Sequence, residues 1–194
     1  MIAFVKGNFV RKTPALVLVD VNGVGYELQI SLNTYSSIQN QDKGQLFTYF
    51  HVREDAQILF GFFDEAEKNL FIQLISVSGV GAATARMMLS SMKPVELIRA
   101  ITEGNVRQLE SIKGIGKKSA ERIVLELRDK LAKSPFESNI SSLKNNSLEQ
   151  DALNALIALG IARPAGEQAI QRALKSDPTL DKIEEIIKKA LKTL

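Results

Sequence analysis

The feature that most limits how this chain can fold is a ten-residue pattern written twice, 35 positions apart. The first copy runs Ser76-Val77-Ser78-Gly79-Val80-Gly81-Ala82-Ala83-Thr84-Ala85. The second runs Ser111-Ile112-Lys113-Gly114-Ile115-Gly116-Lys117-Lys118-Ser119-Ala120. Each places an apolar residue two before a Gly-apolar-Gly turn, then a helix start with Ala four residues after the second Gly. Leu74 and Leu109 extend the match upstream. A fixed internal period means one structural unit used twice.

The turn carries the chemistry. Two glycines around one buried Val or Ile let the chain reverse with positive φ. They also remove side chains that would hold a ligand off the backbone. The next helix begins at once, so its free N–H groups point out of the turn and form an anion site suited to phosphate. Ala85 and Ala120 are small enough for that helix to pack close to the preceding one. A lone Gly-x-Gly marks no more than a turn, but two in register are specific. The pair resembles tandem helix-hairpin-helix DNA-binding motifs, which grip phosphates without reading bases.

Charge distribution agrees with that placement. Residues 64–134 hold 12 Lys/Arg against 9 Asp/Glu, whereas residues 1–63 hold 5 of each and residues 135–194 hold 8 of each. The net charge of +3 therefore sits on the double hairpin. With 194 residues and 45% apolar content the chain can bury one core or several small ones. No run of 18 apolar residues suggests a membrane span, and the N-terminus lacks the pattern of a signal peptide. The absence of Cys excludes disulfides and thiolate metal sites and fits a cytoplasmic protein. The single histidine, His51, reads as a strand residue satisfied by its neighbours. No metal or cofactor is expected.

The expected fold class is β followed by all-α. Residues 1–63 read as five strands, over Ile2–Val10, Ala15–Val21, Val24–Ile30, Leu46–Val52 and Ile58–Phe63, with a short helix across Ser31 to Ile38. Asn22-Gly23 is a hairpin signal. That order matches an OB-fold barrel, with Arg53-Glu54-Asp55-Ala56 as the tight connection between strands four and five. At Asp64 the period becomes helical, with Glu67 completing a capping-box pattern. Residues 64–134 then form the tandem hairpin domain, in which Pro94 opens one helix and Lys117 to Leu131 form a longer one. Residues 135–147 are rich in Ser and Asn and read as a flexible linker. Residues 148–194 read as a three-helix domain: Ser147 and Gln150 cap the first helix, which ends at Gly160, and Pro164 and Pro178 open the others. Leu180, Ile183, Ile187, Ala190, Leu191 and Leu194 form the last helix's apolar stripe.

Competing chemistries fit poorly. Gly116-Lys117-Lys118-Ser119 looks like a nucleotide phosphate loop, but position 111 is Ser where that loop needs Gly, and no strand precedes it. Energy for any driven process must come from a partner. Lys118 also occupies the place of the nucleophilic lysine of some base-excision glycosylases. Their aspartate would fall at position 136, which is Phe; Glu137 is near but lies in the linker. A second alternative is single-strand or RNA binding on the barrel, with Phe47, Tyr49 and Phe60 as stacking candidates. Glu54-Asp55 is an acidic pair in a loop of a barrel expected to meet nucleic acid. Such repulsion has a use when it selects or separates strands.

Across its full length the chain resembles the RuvA family, the Holliday-junction-binding subunits of the bacterial branch-migration machine. The residues that carry the likeness are Val24-Gly25-Tyr26-Glu27, Val52-Arg53-Glu54-Asp55-Ala56-Gln57, Gly61-Phe62, Gly79-Val80-Gly81 and Gly114-Ile115-Gly116-Lys117-Lys118-Ser119-Ala120-Glu121-Arg122. The resemblance implies a non-enzymatic scaffold assembled as a homotetramer, leaving open whether four subunits or an octamer sit on DNA. It implies that Glu54 and Asp55 form an acidic pin at the crossover. It implies DNA contacts from Gly79, Gly81, Ala82, Ala83, Arg86, Gly114, Gly116, Lys117, Lys118 and Arg122. The third domain would engage a RuvB-like hexameric ATPase, and a RuvC-like resolvase is a further implied partner. One departure stands out: the family usually continues its first hairpin with Pro-Lys, where this chain has Ala82-Ala83. Backbone contacts would then carry that hairpin, with Arg86 as the compensating cation.

Overall fold

A computed structural model of the chain describes residues 1–132, 148–177 and 182–193. The chain divides into two compact units, 1–137 and 138–194. The first begins with five strands: β1 (Phe4–Thr13), β2 (Leu16–Val21), β3 (Val24–Ile30), β4 (Lys43–Val52) and β5 (Gln57–Phe62). They close into a barrel in the order β1-β2-β3-β5-β4, antiparallel except where β3 runs parallel to β5. This is the OB-type barrel that the strand pattern predicts. Asn22 and Gly23 both have positive φ, at 51° and 89°, which suits the tight β2–β3 turn. Helix α1 (Leu32–Ile38) lies between β3 and β4, with Ser31 as its N-cap. Strand β4 starts three residues earlier than its apolar run, because Lys43 and Gly44 pair with Asn8 and Gly7 of β1.

Inside the barrel, alternate residues of the strands meet: Val5, Val17, Val19, Leu28, Ile30 and Leu46 are all buried. The outer faces of β4 and β5 are also apolar, and they serve a second core. Phe60 and Phe62 pack with Phe71 of helix α2 (Glu65–Ile75), each with ring centroids 5.0 Å from it. That second core continues through α3 (Ala82–Ser91), α4 (Pro94–Thr102), α5 (Val106–Glu110) and α6 (Lys117–Ala132). Barrel and hairpins thus share buried side chains.

Polar links fix the same junction. Asp64 caps α2, its Oδ1 accepting from the Glu67 amide at 2.7 Å. The reciprocal half of the expected capping box is missing, because the Glu67 side chain is buried and turned to the barrel. There it accepts from the Ser31 and Thr34 hydroxyls, the latter at 2.6 Å. Burial raises the Glu67 pKa above its usual value, and the two hydroxyls work against that rise. Asn33 hooks α1 onto the end of α3 by donating to the Leu89 and Met92 carbonyls.

The second unit holds α7 (Leu148–Ala158), α8 (Arg163–Ser176) and α9 (Ile183–Leu191). Ala152, Leu153, Leu156, Ala169, Ile170 and Ala173 are buried with Ile186 and Ala190. Gly160, at φ 89°, ends α7, and the Ile161 amide reaches back to the Leu156 carbonyl. Pro164 stands in the first turn of α8 as expected. The last helix departs from expectation. It starts at Ile183, its buried stripe centres on Ile186 and Ala190, and Leu191 is exposed. Two helices can cover only one side of so short a helix, which leaves Leu191 outside. The linker, Ser147, the Gln150 side chain, Pro178, Leu180 and Leu194 lie outside the described residues. No helix among the described residues is long and apolar enough to cross a membrane.

Candidate nucleic-acid interface

The two hairpins match bond for bond. Val77 and Ile112 donate to the Leu74 and Leu109 carbonyls, both at 3.1 Å. Val80 and Ile115 donate to Val77 and Ile112, both at 3.0 Å. The Ser76 and Ser111 hydroxyls donate to the Gln73 and Gln108 carbonyls, both at 2.7 Å. Burial repeats as well: Val80 and Ile115 face the core, as do Ala85 and Ala120, while all four turn glycines are exposed.

The glycines divide into two kinds. Gly79 and Gly114 have φ of 89° and 91°, so the turn itself requires them. The expectation that both glycines of each turn adopt positive φ is corrected here: Gly81 has φ −83° and ψ 167°, and Gly116 also lies outside the positive-φ region. A Cβ at Gly81 or Gly116 would meet nothing within 4 Å. The fold has no internal use for the missing side chain at either place.

Beyond each second glycine a helix opens without assistance. Gly81 is the N-cap of α3 and offers no side-chain cap, so the amides of Ala82, Ala83 and Thr84 have no intrahelical acceptor. The equivalent amides of α6 belong to Lys117, Lys118 and Ser119. Ala83, Lys117 and Lys118 are exposed, whereas Ala82 is buried and can offer only its backbone. Lys117 lies 4.0 Å from Glu121, one turn on, in an exposed pair of little energetic weight. Lys113, in the second turn at the place of Ser78, is a further exposed cation that the motif pattern does not single out. Its signal in the sequence is that it is the one charged residue inside either turn.

The two arginines are placed differently from the lysines. Arg86 is half-buried and donates from Nη1 to the Ala15 carbonyl at the β1–β2 turn, 3.2 Å away; burial lowers its pKa. Arg122, on α6, donates from Nη1 to the Ser78 carbonyl in the first hairpin at 3.1 Å.

Glu54 and Asp55 occupy the β4–β5 connection, which the Arg53 amide closes by donating to the Ala56 carbonyl at 2.8 Å. Both acids are exposed, and neither makes an ion pair among the described residues. His51 is satisfied locally: Arg53 Nε donates to its Nε2 at 2.9 Å, and its ring lies against Tyr49 and Phe60.

The competing chemistries lose ground here. Phe60 is buried, Tyr49 is half-buried against Phe71 at 5.6 Å, and Phe47 is half-buried, so these rings form no open stacking platform. Lys118 stands exposed at a helix start, without the enclosure that a desolvated nucleophile needs. Phe136 and Glu137 lie outside the described residues.

Comparison with known proteins decides the family. Residues 1–61 match the RuvA N-terminal domain, residues 71–129 a SAM-like helix-hairpin-helix tandem, and residues 147–194 the RuvA C-terminal domain. The chain is 41% identical over 197 residues to a protein of Cytophaga hutchinsonii, covering 99% of both. It is 42% identical over 194 residues to one of Flavobacterium psychrophilum and 44% identical over 199 residues to one of Parabacteroides distasonis, covering 100% of each pair. All three are named Holliday junction branch migration complex subunit RuvA. The chain belongs to the RuvA family. In this RuvA-family member the first hairpin carries no lysine, so its two hairpins differ in charge while sharing one backbone geometry.

Proposed function

We propose that this chain binds four-way DNA junctions by their phosphate backbone and serves as the non-catalytic subunit of a branch-migration complex. The observation that carries this reading is the pair Gly81 and Gly116. Their backbones are ordinary and the space where a Cβ would stand is empty, so the missing side chain serves something that approaches from outside. Uncapped helix amides lie at the same two places, and cations surround the second. Contacts of this kind hold DNA without reading sequence.

In this reading four subunits assemble around the junction, one hairpin pair to each arm. Glu54 and Asp55 project where strands cross and discourage continuous duplex from occupying the centre. The C-terminal unit recruits a RuvB-like hexameric ATPase, which supplies the energy, and the assembled junction is the substrate for a RuvC-like resolvase. The relatives' name, Holliday junction branch migration complex subunit RuvA, supports a role as one subunit of such a complex, and a cytoplasmic location fits that role.

A band-shift comparison of a four-way junction, a duplex of equal length and a single strand tests the reading. The junction should bind tightest and the single strand weakest, with no dependence on base sequence and a steep fall with salt. Equal binding of junction and duplex at every salt concentration would refute it.

A further inference from the structure

We infer that Arg122 is a positioning residue: it acts on DNA through the first hairpin and makes the two hairpins one site. The inference rests on the junction-binding reading above. Arg122 belongs by sequence to the second hairpin, two positions after the small Ala120 that seats α6. Its guanidinium nevertheless lies over the first turn, donating from Nη1 to the Ser78 carbonyl at 3.1 Å across 44 residues of sequence. The same Nη1 stands 4.0 Å from where a Cβ of Gly79 would be.

Ser78 is the residue whose carbonyl enters the left-handed bend at Gly79, so its orientation fixes the direction of the turn. The turn is otherwise closed on itself by a single amide bond, Val80 to Val77. Ser78, Gly79 and Gly81 are all exposed, so packing does not hold this rim. The first hairpin also lacks a lysine that would let charge compensate for imprecise geometry, since Ala82 and Ala83 stand where the second hairpin has Lys117 and Lys118. A site made of backbone amides alone depends on alignment, and Arg122 supplies an anchor for it from the neighbouring motif. Arg is suited to this because its planar fork loses little freedom per hydrogen bond formed.

A double-mutant cycle on the full chain separates this role from a direct phosphate contact. Junction affinity is measured for Arg122→Ala, Gly81→Val, Gly116→Val, and Arg122→Ala combined with each glycine change. A Cβ at Gly81 meets no atom within 4 Å, so Gly81→Val crowds the approach to the first hairpin while the fold has room for it. Arg122→Ala alone should weaken junction binding by about five-fold, the lower end of coupling between two sites. Combined with Gly81→Val it should add less than about two-fold, because the hairpin it serves is already blocked. Combined with Gly116→Val it should cost its full factor. Without DNA, hydrogen exchange of the Val80 amide should also speed up in Arg122→Ala. An equal loss in both glycine backgrounds, with unchanged exchange at Val80, would overturn the inference and make Arg122 an independent contact. Full binding by Gly81→Val and Gly116→Val themselves would refute the hairpin reading, and the inference with it.

Discussion

At the scale of single residues, the proposed interface rests more on missing side chains than on present ones. Gly79 and Gly114 are needed for the bend, and Gly81 and Gly116 leave the backbone open to solvent. Lys117 and Lys118 add charge at one hairpin only, and Ala82 and Ala83 leave the other bare. The lysines are exposed, so they should contribute by neutralising phosphates and not by shaping the protein. Replacing both with Ala should lower affinity for all junction sequences alike. The slope of log affinity against log salt should flatten by roughly one to two units, about one for each phosphate no longer neutralised. A loss confined to some sequences, or an unchanged salt slope in band-shift titrations, would contradict this. The turns and helix starts of both hairpins were legible in the sequence, because the motif is local and occurs twice, although only Gly79 and Gly114 take the positive φ expected of all four glycines. The partners of Arg86 and Arg122 were not legible, because each reaches a backbone carbonyl that only the tertiary fold brings near: Ala15, 71 residues away, and Ser78, 44 residues away.

At the scale of elements, α1 and α2 join barrel to hairpins, and Glu67 of α2 is the carboxyl buried between them. The pattern Asp64-x-x-Glu67 disguised this, since it reads equally well as a capping box. The barrel class followed from five apolar runs with a helix between the third and fourth, whereas the use of the barrel's outer face by α2 did not: an apolar run marks a strand, not what covers each of its faces. Glu67 has a pKa raised by burial, so the folded state holds this proton more tightly than the unfolded chain. Its contribution to stability is fully present below 4.5 and is lost as pH rises through the higher folded value. Glu67→Gln cannot ionise and should therefore lose less stability than the parent over that rise, although it keeps an acceptor oxygen for only one of the two hydroxyls. Glu67→Ala leaves Ser31 and Thr34 without their acceptor and should cost about 1–3 kcal/mol below pH 4.5, with the difference shrinking as pH rises. Denaturant titrations across pH that gave parallel curves for parent and Gln variant would contradict this role. The β4–β5 loop makes the opposite use of charge, exposing Glu54 and Asp55. Replacing them with Gln and Asn should leave duplex binding level or higher and narrow the junction-to-duplex ratio at low salt. The effect should shrink as salt screens charges more than about 10 Å apart. An unchanged ratio, with folding and assembly intact, would reduce the pair to a solubilising turn.

At the scale of the whole molecule, charge and modularity divide the work. The excess of positive charge lies on residues 64–134, and residues 148–194, of balanced charge, belong to the separate compact unit 138–194. Truncation after Ser134 should leave a junction-binding oligomer that no longer stimulates ATP-driven branch migration by a RuvB-like partner. Retained stimulation in a migration assay would remove the docking role from the C-terminal unit. The central claim, that the hairpin backbones grip the junction, is tested most directly by the full chain carrying both Gly81→Val and Gly116→Val. A Cβ at either position meets no neighbour within 4 Å, so thermal unfolding should fall only by what a poorer helix N-cap costs. A hydrogen bond to a charged group is worth about 1.5–3 kcal/mol. Blocking both hairpins should therefore weaken junction binding by roughly 100-fold, at tenfold per about 1.4 kcal/mol. A folded double variant that binds the four-way junction as tightly as the parent would contradict the claim.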